Sequence, residues 1–382
     1  MKPPHLLFFV SEDWYFWSHR LPIALAAIEA GYNVTLLARF SAHGDLIRAK
    51  GIRIIPIEFS RGGRNPLAEW RTLLELFKIL QKERPDILHN VAIKPVLYGS
   101  LIARIAGIKR VVNAVAGLGH IFSNQDRNPA LRNIVVMAFR VLLKKRCKVI
   151  TQNPDDSKLL IDINAVVPEQ IALIRGSGVD LDKFKPSQEA DGVPIVMLAG
   201  RLLWEKGVAD FVDAARIVRK QGISARFVIV GAPDNENLSS ISADMLDEWD
   251  REPNVECWGK RSDMESVLPE CQIFCLPSYY GEGVPKVLLE AAACGKALIS
   301  TDMPGCREVV KPEKNGLLVK PRDPEELAAA INSLLENHDL RTQMGQESRK
   351  LVEAEFGVER VKSQTIALYK ELLGKAWPEI TD

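Results

Sequence analysis

From residue 5 onward, short β-rich runs alternate with longer helical segments. Runs at 6–10, 33–37, 53–57, 87–89, 110–114, 149–152 and 171–174 are dominated by Val, Ile, Leu, Phe and Ala. Such runs suit strands covered on both faces of a parallel sheet, whereas half-exposed strands would alternate. Between them, 21–30, 67–82 and 95–106 carry apolar residues at helical spacing. The pattern breaks at 176–186, Gly-Ser-Gly-Val-Asp-Leu-Asp-Lys-Phe-Lys-Pro, and the polar stretch 187–194 reads as a linker. It then restarts, with strands at 195–199, 226–230, 255–258, 272–276 and 296–300 and a helix at 208–221. Only helices are expected from 324 on, the last at 358–373 with its stop at Gly374. The predicted class is α/β: two doubly wound domains, 1–186 and 187–356, followed by a terminal helical segment, 357–382.

Composition narrows the function. Apolar residues make up 47% and charged residues 26% of 382, ordinary for a globular chain, and the formal net charge of +1 offers no global attraction to nucleic acid. The six cysteines form no Cys-x-x-Cys pair, so no metal site is expected and buried thiols in a reducing compartment are. The N-terminus does not read as a signal peptide, and no apolar run reaches the length of a membrane span. There is no Walker A motif and no GxGxxG fingerprint, which weighs against NTPase and dehydrogenase readings. Asp180-Leu-Asp182 matches an Asp-x-Asp metal motif in form only; beside the linker it reads as a turn.

The stretch that organises the chain is 278–310. A strand leads into a loop with Gly281 and Gly283, then into a helix with Pro285 expected in its first turn and an end near Gly295. Two carboxylates mark it, Glu282 in the loop and Glu290 in the helix. Eight residues of helical rise would separate them by about 12 Å along the axis and roughly 80° in azimuth. Glu282 alone could be an acid at a helix N-terminus. Glu290 is flanked by Val287, Leu288, Leu289, Ala291, Ala292 and Ala293, and a carboxylate on a packed face needs a partner.

The string Glu-Gly-Val-Pro-Lys-Val-Leu-Leu-Glu, followed by Ala-Cys-Gly-Lys-Ala and Pro-Gly-Cys-Arg-Glu, resembles the signature of the retaining family-4 glycosyltransferases. That resemblance spans essentially the whole chain and implies a GT-B fold, two Rossmann-like domains facing across a cleft, with the terminal helix crossing back to the first. It implies that Glu282 contacts the donor sugar and Glu290 the ribose, with Gly283, Val284 and Pro285 between them at the substrate. Retention of anomeric configuration without a metal or other cofactor is also implied.

Other constellations agree. The strand at 195–199 ends in Gly200-Arg201-Leu-Leu-Trp-Glu-Lys206-Gly207, immediately before a helix. Cations at the carboxyl end of a strand and a helix N-terminus can hold a diphosphate, and the spacing matches the family's Arg-x4-Lys-Gly pattern. Singly each would be an ordinary loop charge. Breaking a sugar–phosphate bond leaves charge on the departing diphosphate, which Arg201 and Lys206 would stabilise. Gly231 and Arg261 follow two further strands, at positions that in the family frame the uracil. In the first domain His120 falls where many relatives have a histidine near the donor sugar. His19, in the aromatic loop 11–20, is expected on an acceptor-facing surface.

That loop, Arg61-Gly-Gly-Arg-Asn-Pro and Ala-Gly-Leu-Gly look most like a bacterial subgroup that extends polyprenyl-diphosphate-linked saccharides, including N-acetylgalactosamine transferases. The segment 127–148 holds seven basic residues (Arg127, Arg132, Arg140, Lys144, Lys145, Arg146 and Lys148) and no acid, with apolar residues at helical spacing. It reads either as a packed helix with a solvated basic face or as a membrane-surface element. The expected protein is a cytoplasmic glycosyltransferase, peripheral to the cytoplasmic membrane. It would move a hexose or N-acetylhexosamine from a nucleotide-sugar, UDP-linked, to a lipid-linked saccharide, with no nucleic-acid partner. A nucleotide-sugar epimerase on the same fold, or a non-catalytic membrane-surface module, are the alternatives.

Overall fold

The computed structural model describes residues 2–58, 65–119, 129–144, 146–187, 189, 192–234 and 236–374. The chain divides into two compact units, one of residues 1–177 together with 359 onward, the other Gly178–Val358.

In the first unit seven parallel strands are arranged β3-β2-β1-β4-β5-β6-β7. They are β1 (His5–Glu12), β2 (Asn33–Arg39), β3 (Arg53–Pro56), β4 (Ile87–Val91), β5 (Val111–Ala114), β6 (Lys148–Thr151) and β7 (Ile171–Leu173). Helices α1 (Asp13–His19), α2 (Leu21–Glu29) and α3 (Gly44–Arg48) connect the first three strands. Helices α4 (Pro66–Glu83), α5 (Ile93–Ala106), α6 (Pro129–Leu142) and α7 (Pro154–Asp162) follow. Strand residues alternate between the two layers. Leu6, Phe8 and Val10 pack with Phe16 and Ile23, whereas Leu7 and Phe9 pack with Leu76 and Leu80 of α4 and Ile102 of α5. Helix α6 packs through Val135 and Phe139 against Val96 of α5.

One expectation is corrected here. The segment 11–20, read as a loop, is helical from Asp13 to His19. No side chain caps that helix. Instead the buried Asp13 carboxylate accepts from the Ser41 and His43 backbone N–H groups and the Ser41 hydroxyl, a tertiary anchor about thirty residues away. Those bonds outweigh burial and hold its carboxyl below the usual range.

The second unit has six parallel strands in the order β10-β9-β8-β11-β12-β13. They are β8 (Ile195–Ala199), β9 (Arg226–Val230), β10 (Val255–Gly259), β11 (Ile273–Leu276), β12 (Ala297–Thr301) and β13 (Gly316–Val319). Its helices are α8 (Val208–Lys220), α9 (Ala243–Trp249), α10 (Met264–Val267), α11 (Lys286–Ala293), α12 (Cys306–Val309), α13 (Pro324–Glu336) and α14 (His338–Glu355). Val196 and Leu198 face α8 and α13, while Met197 faces α11 and α14. The strand order reverses between β8 and β11, and the crevice at the carboxyl ends of such a pair is where open α/β sheets bind ligands.

The boundary region differs from the linker expected at 187–194. Residues 178–187 and Glu189 are tied to the second unit: Arg349 donates to the Phe184 carbonyl, Lys183 pairs with Glu265, and Arg341 pairs with Glu189 at 2.7 Å. Asp180 caps its own turn, accepting from the backbone of Asp182 and Lys183. The last helix, α15 (Val358–Leu373), packs Val361, Leu368, Tyr369 and Leu373 into the core of the first unit. Its Leu372 carbonyl accepts from Arg110 at 2.8 Å.

Candidate active site

The site forms at the β8/β11 switch point. Strand β8 runs out at Ala199, and the loop after it makes a short helical turn at Trp204–Lys206 and then Gly207. Gly207 has φ +72°, and a Cβ there would lie 2.1 Å from the Pro277 carbonyl oxygen, so only glycine lets this loop touch the exit of β11. Two further bonds join the loops, the Tyr279 N–H and the Ser278 hydroxyl each donating to the Glu205 carbonyl at 3.0 Å.

This junction sets Lys206, of which only 8% is exposed, against Glu282; its ammonium donates to one Glu282 carboxylate oxygen and lies 5.7 Å from the centre of the Tyr280 ring. Burial alone would depress the ammonium's pKa, but Glu282 and Tyr280 outweigh it, leaving Lys206 above the ordinary lysine value. It therefore keeps its charge through the physiological range. Arg201, more exposed, contacts Asp234 at 3.4 Å.

The loop carrying Glu282 is held from below. Gly305, after β12, has φ +83°, and a Cβ on it would stand 1.5 Å from the Gly283 oxygen and 2.7 Å from that of Glu282. Thr301 donates to the Ser278 carbonyl, and Ser300 to that of Leu276 at 2.6 Å. Pro285 is the residue before α11 rather than part of its first turn, and the helix starts at Lys286. Glu282 is thus not helical, and the expected helical separation of the two carboxylates does not describe them. Glu290, on α11, is largely buried with Lys286 3.3 Å away. Burial raises its carboxyl above the usual value, with Lys286 opposing.

At the other flank Gly231 follows β9 so close to Gly200 that a Cβ would sit 2.1 Å from the Gly200 oxygen. Arg261 is in a two-point ion pair with Asp263, two residues on. Lys206, Glu282, Gly283 and Gly200 with Gly231 are therefore brought together in contacting pairs, whereas Arg261 is engaged locally. His19 belongs to the first unit, where its ring stacks on Tyr15 at 4.3 Å between centroids. His120 lies outside the described residues. The sequence reading missed Tyr280, Asp234 and the role of Gly305. Only Gly305 had a signal, its Pro-Gly dipeptide after a strand. Among the described residues no group of three potential metal ligands occurs.

Two doubly wound parallel-sheet units in one chain are the architecture of the GT-B glycosyltransferases. Residues 180–351 match the family described as glycosyl transferases group 1, and residues 5–153 match glycosyl transferase 4-like. The chain is 31% identical over 336 residues to the N,N'-diacetylbacillosaminyl-diphospho-undecaprenol alpha-1,3-N-acetylgalactosaminyltransferase of Campylobacter jejuni, covering 84% of this chain and 87% of that one. It is 27% identical to an Escherichia coli UDP-Gal:alpha-D-GlcNAc-diphosphoundecaprenol alpha-1,3-galactosyltransferase, over 69% of this chain and 70% of that one. In fold it is similar to a glycosyltransferase from Rickettsia africae (TM-score 0.79, 18% identity, 97% and 99% covered). It is similar also to Anabaena HepE in complex with UDP and glucose (TM-score 0.76, 18% identity, 95% and 99% covered). The chain belongs to the group 1 glycosyltransferase family.

Proposed function

We propose that this glycosyltransferase moves a hexose or N-acetylhexosamine from a UDP-sugar to a polyprenyl-diphosphate-linked saccharide, with retention. The observation that carries the reading is Lys206, a buried and permanently charged cation at the β8/β11 switch point, with Glu282 against it. The named relatives act on undecaprenol-diphosphate sugars, which supports the acceptor class.

The chemistry follows from the charges. The bond between the sugar's anomeric carbon and the diphosphate oxygen breaks, and its electron pair leaves with the nucleotide. Lys206 and Arg201 stabilise that charge, and preorganised cations in a water-poor site are worth far more than in solvent. An acceptor hydroxyl oxygen forms the new bond from the departing group's side, its proton passing to the leaving phosphate oxygen. Glu282 orients the sugar and keeps Lys206 in place; Glu290 accepts from a ribose hydroxyl; Gly231 lets the base approach backbone. A product of inverted configuration, seen by NMR, would end the front-face scheme.

No helix among the described residues is long and apolar enough to cross a membrane. A lipid-linked acceptor would instead be met at the membrane surface by α6. That helix packs inward through Val135 and Phe139; Arg132, Arg140 (which also donates to the Ile163 carbonyl) and, in the following turn, Lys144 are exposed. Each cation near anionic lipid is worth about 1 kcal/mol. The test of the enzymatic reading is nucleotide release from UDP-sugars with and without a polyprenyl-diphosphate-linked N-acetylhexosamine. Release that needs the acceptor supports it, and release indifferent to the acceptor removes it.

A further inference from the structure

Helix α6 is not alone in leaving apolar side chains in solvent. On α4 Leu67 is 72%, Trp70 61% and Leu74 44% exposed, and on α6 Ile134 is 66%, Met137 58% and Val141 51% exposed. Six large apolar groups at helical spacing on two helices are more than the scattered exposure of an ordinary surface. The two helices flank α5 in one layer. Leu76 and Leu80 of α4 share a cluster with Ile102 of α5, and Val135 and Phe139 of α6 share one with Val96 of α5.

The faces have the same composition. At about 100° per residue, Trp70, Leu74, Leu67, Lys78, Arg71 and Lys82 fall within an arc of roughly 120° on α4, apolar side first and cationic side second. On α6, Ile134, Val141, Met137 and Arg140 span an arc of similar width, apolar side and then cation, with Lys144 in the turn after the helix. The acids of α4 stand off this arc. Glu69 pairs with Lys94 at 2.8 Å and with the Tyr98 hydroxyl, Glu83 pairs with Arg53, and Glu75 sits half-buried at the margin. No acid occurs on α6.

We propose that α4 and α6 together form a lipid-facing platform that docks the first unit on an anionic bilayer, with Leu67, Trp70 and Leu74 in the headgroup–acyl boundary. The occupant is the bilayer because apolar and cationic strips run side by side on both helices, complementary to acyl chains and to anionic headgroups. Tryptophan at the border is the amphipathic ring favoured at that depth. Binding of such helices grows with the apolar area buried and the attraction to anionic lipid, so two in one layer bind more firmly than one. The platform deepens the lipid-linked acceptor reading and rests on it for purpose, but its test does not depend on sugar transfer.

The full chain is floated with vesicles of phosphatidylcholine alone or mixed with phosphatidylglycerol. Wild type is expected on the mixed vesicles, and Leu67→Ser/Trp70→Ser/Leu74→Ser is expected to lower binding about tenfold. Ile134→Ser/Met137→Ser/Val141→Ser should do the same, with circular dichroism unchanged because every altered side chain is exposed. Arg71→Gln/Lys78→Gln/Lys82→Gln should remove the preference for phosphatidylglycerol. Brominated lipid should quench wild type more than Trp70→Phe, which reads the depth of Trp70 directly. Wild-type flotation that the α4 triple variant leaves unchanged, or equal quenching of Trp70→Phe, would overturn the platform. So would failure of wild type to float, which would hand the two faces to a protein partner. A chain that floats through α4 yet transfers no sugar keeps the platform and sinks the acceptor reading; transfer to detergent-solubilised acceptor without flotation does the reverse.

Discussion

Lys206 and Glu282 are 76 residues apart in sequence and form one buried pair. Each was legible separately, Lys206 from its place before a helix and Glu282 from its glycine loop, but their contact was not, since pairing over that distance is made by the sheet. Removing one partner strands the other charge in a poor dielectric. Lys206→Met is expected to cut kcat about 100- to 1,000-fold. It should also cost about 3–5 kcal/mol of stability, read by denaturation; a variant of full activity would contradict the assignment. Glu290 gives a pH prediction. Its carboxyl titrates above the ordinary glutamate value because it is buried. If a ribose hydroxyl donates to the carboxylate, donor KM rises as pH falls through that raised value, and Glu290→Gln flattens the profile. A profile with the same acid limb in both proteins would remove Glu290 from the donor site.

At the scale of elements, the strands were readable because short β-rich, largely apolar runs alternate with helical segments; β8 and β9 have the expected bounds. Helix α1 was not readable, since its anchor is a buried carboxylate bonded to residues 41 and 43 rather than a local cap. The start of α11 was misplaced because Pro285 stands outside the helix. Loop-to-loop contacts were equally hidden, and Gly305, packed against the Gly283 and Glu282 carbonyls, is the clearest case. Gly305→Ala would push the Gly283 carbonyl aside and displace Glu282. A shift of about 1 Å in a positioning element costs roughly 100-fold in kcat/KM. The expected outcome is that loss with a cooperative melt retained, and unchanged kinetics would show that the loop is set elsewhere.

Across the whole chain, two doubly wound units and a last helix were legible from the repeated alternation, but the division was not. The polar stretch 187–194 reads as a linker by composition, whereas Arg341 holds Glu189 and Arg349 holds the Phe184 carbonyl just before it, contacts that tie this region to the second unit. The last helix brings Tyr369 into the first unit, where its hydroxyl meets His89 at 2.5 Å. His89 is fully buried, and burial with the nearby Arg20 charge holds its pKa well below 6.5. A histidine depressed in the folded state binds fewer protons there than when unfolded. Its contribution is therefore complete above pH 6.5 and lost as pH falls below it. The urea midpoint should drop across that interval, and His89→Asn should flatten the decline; an equal decline in both proteins would place the effect elsewhere.

The central claim is acceptor-dependent transfer from a nucleotide-sugar across the Lys206 site. The measurement that tests it most directly is nucleotide release from a panel of UDP-, GDP- and ADP-sugars. Each is assayed with and without a polyprenyl-diphosphate-linked N-acetylhexosamine, for wild type and Lys206→Met side by side. The predicted result is UDP release that requires the lipid-linked acceptor and collapses in the variant. Isomerisation of a UDP-sugar without acceptor, or release that survives in Lys206→Met, would contradict it.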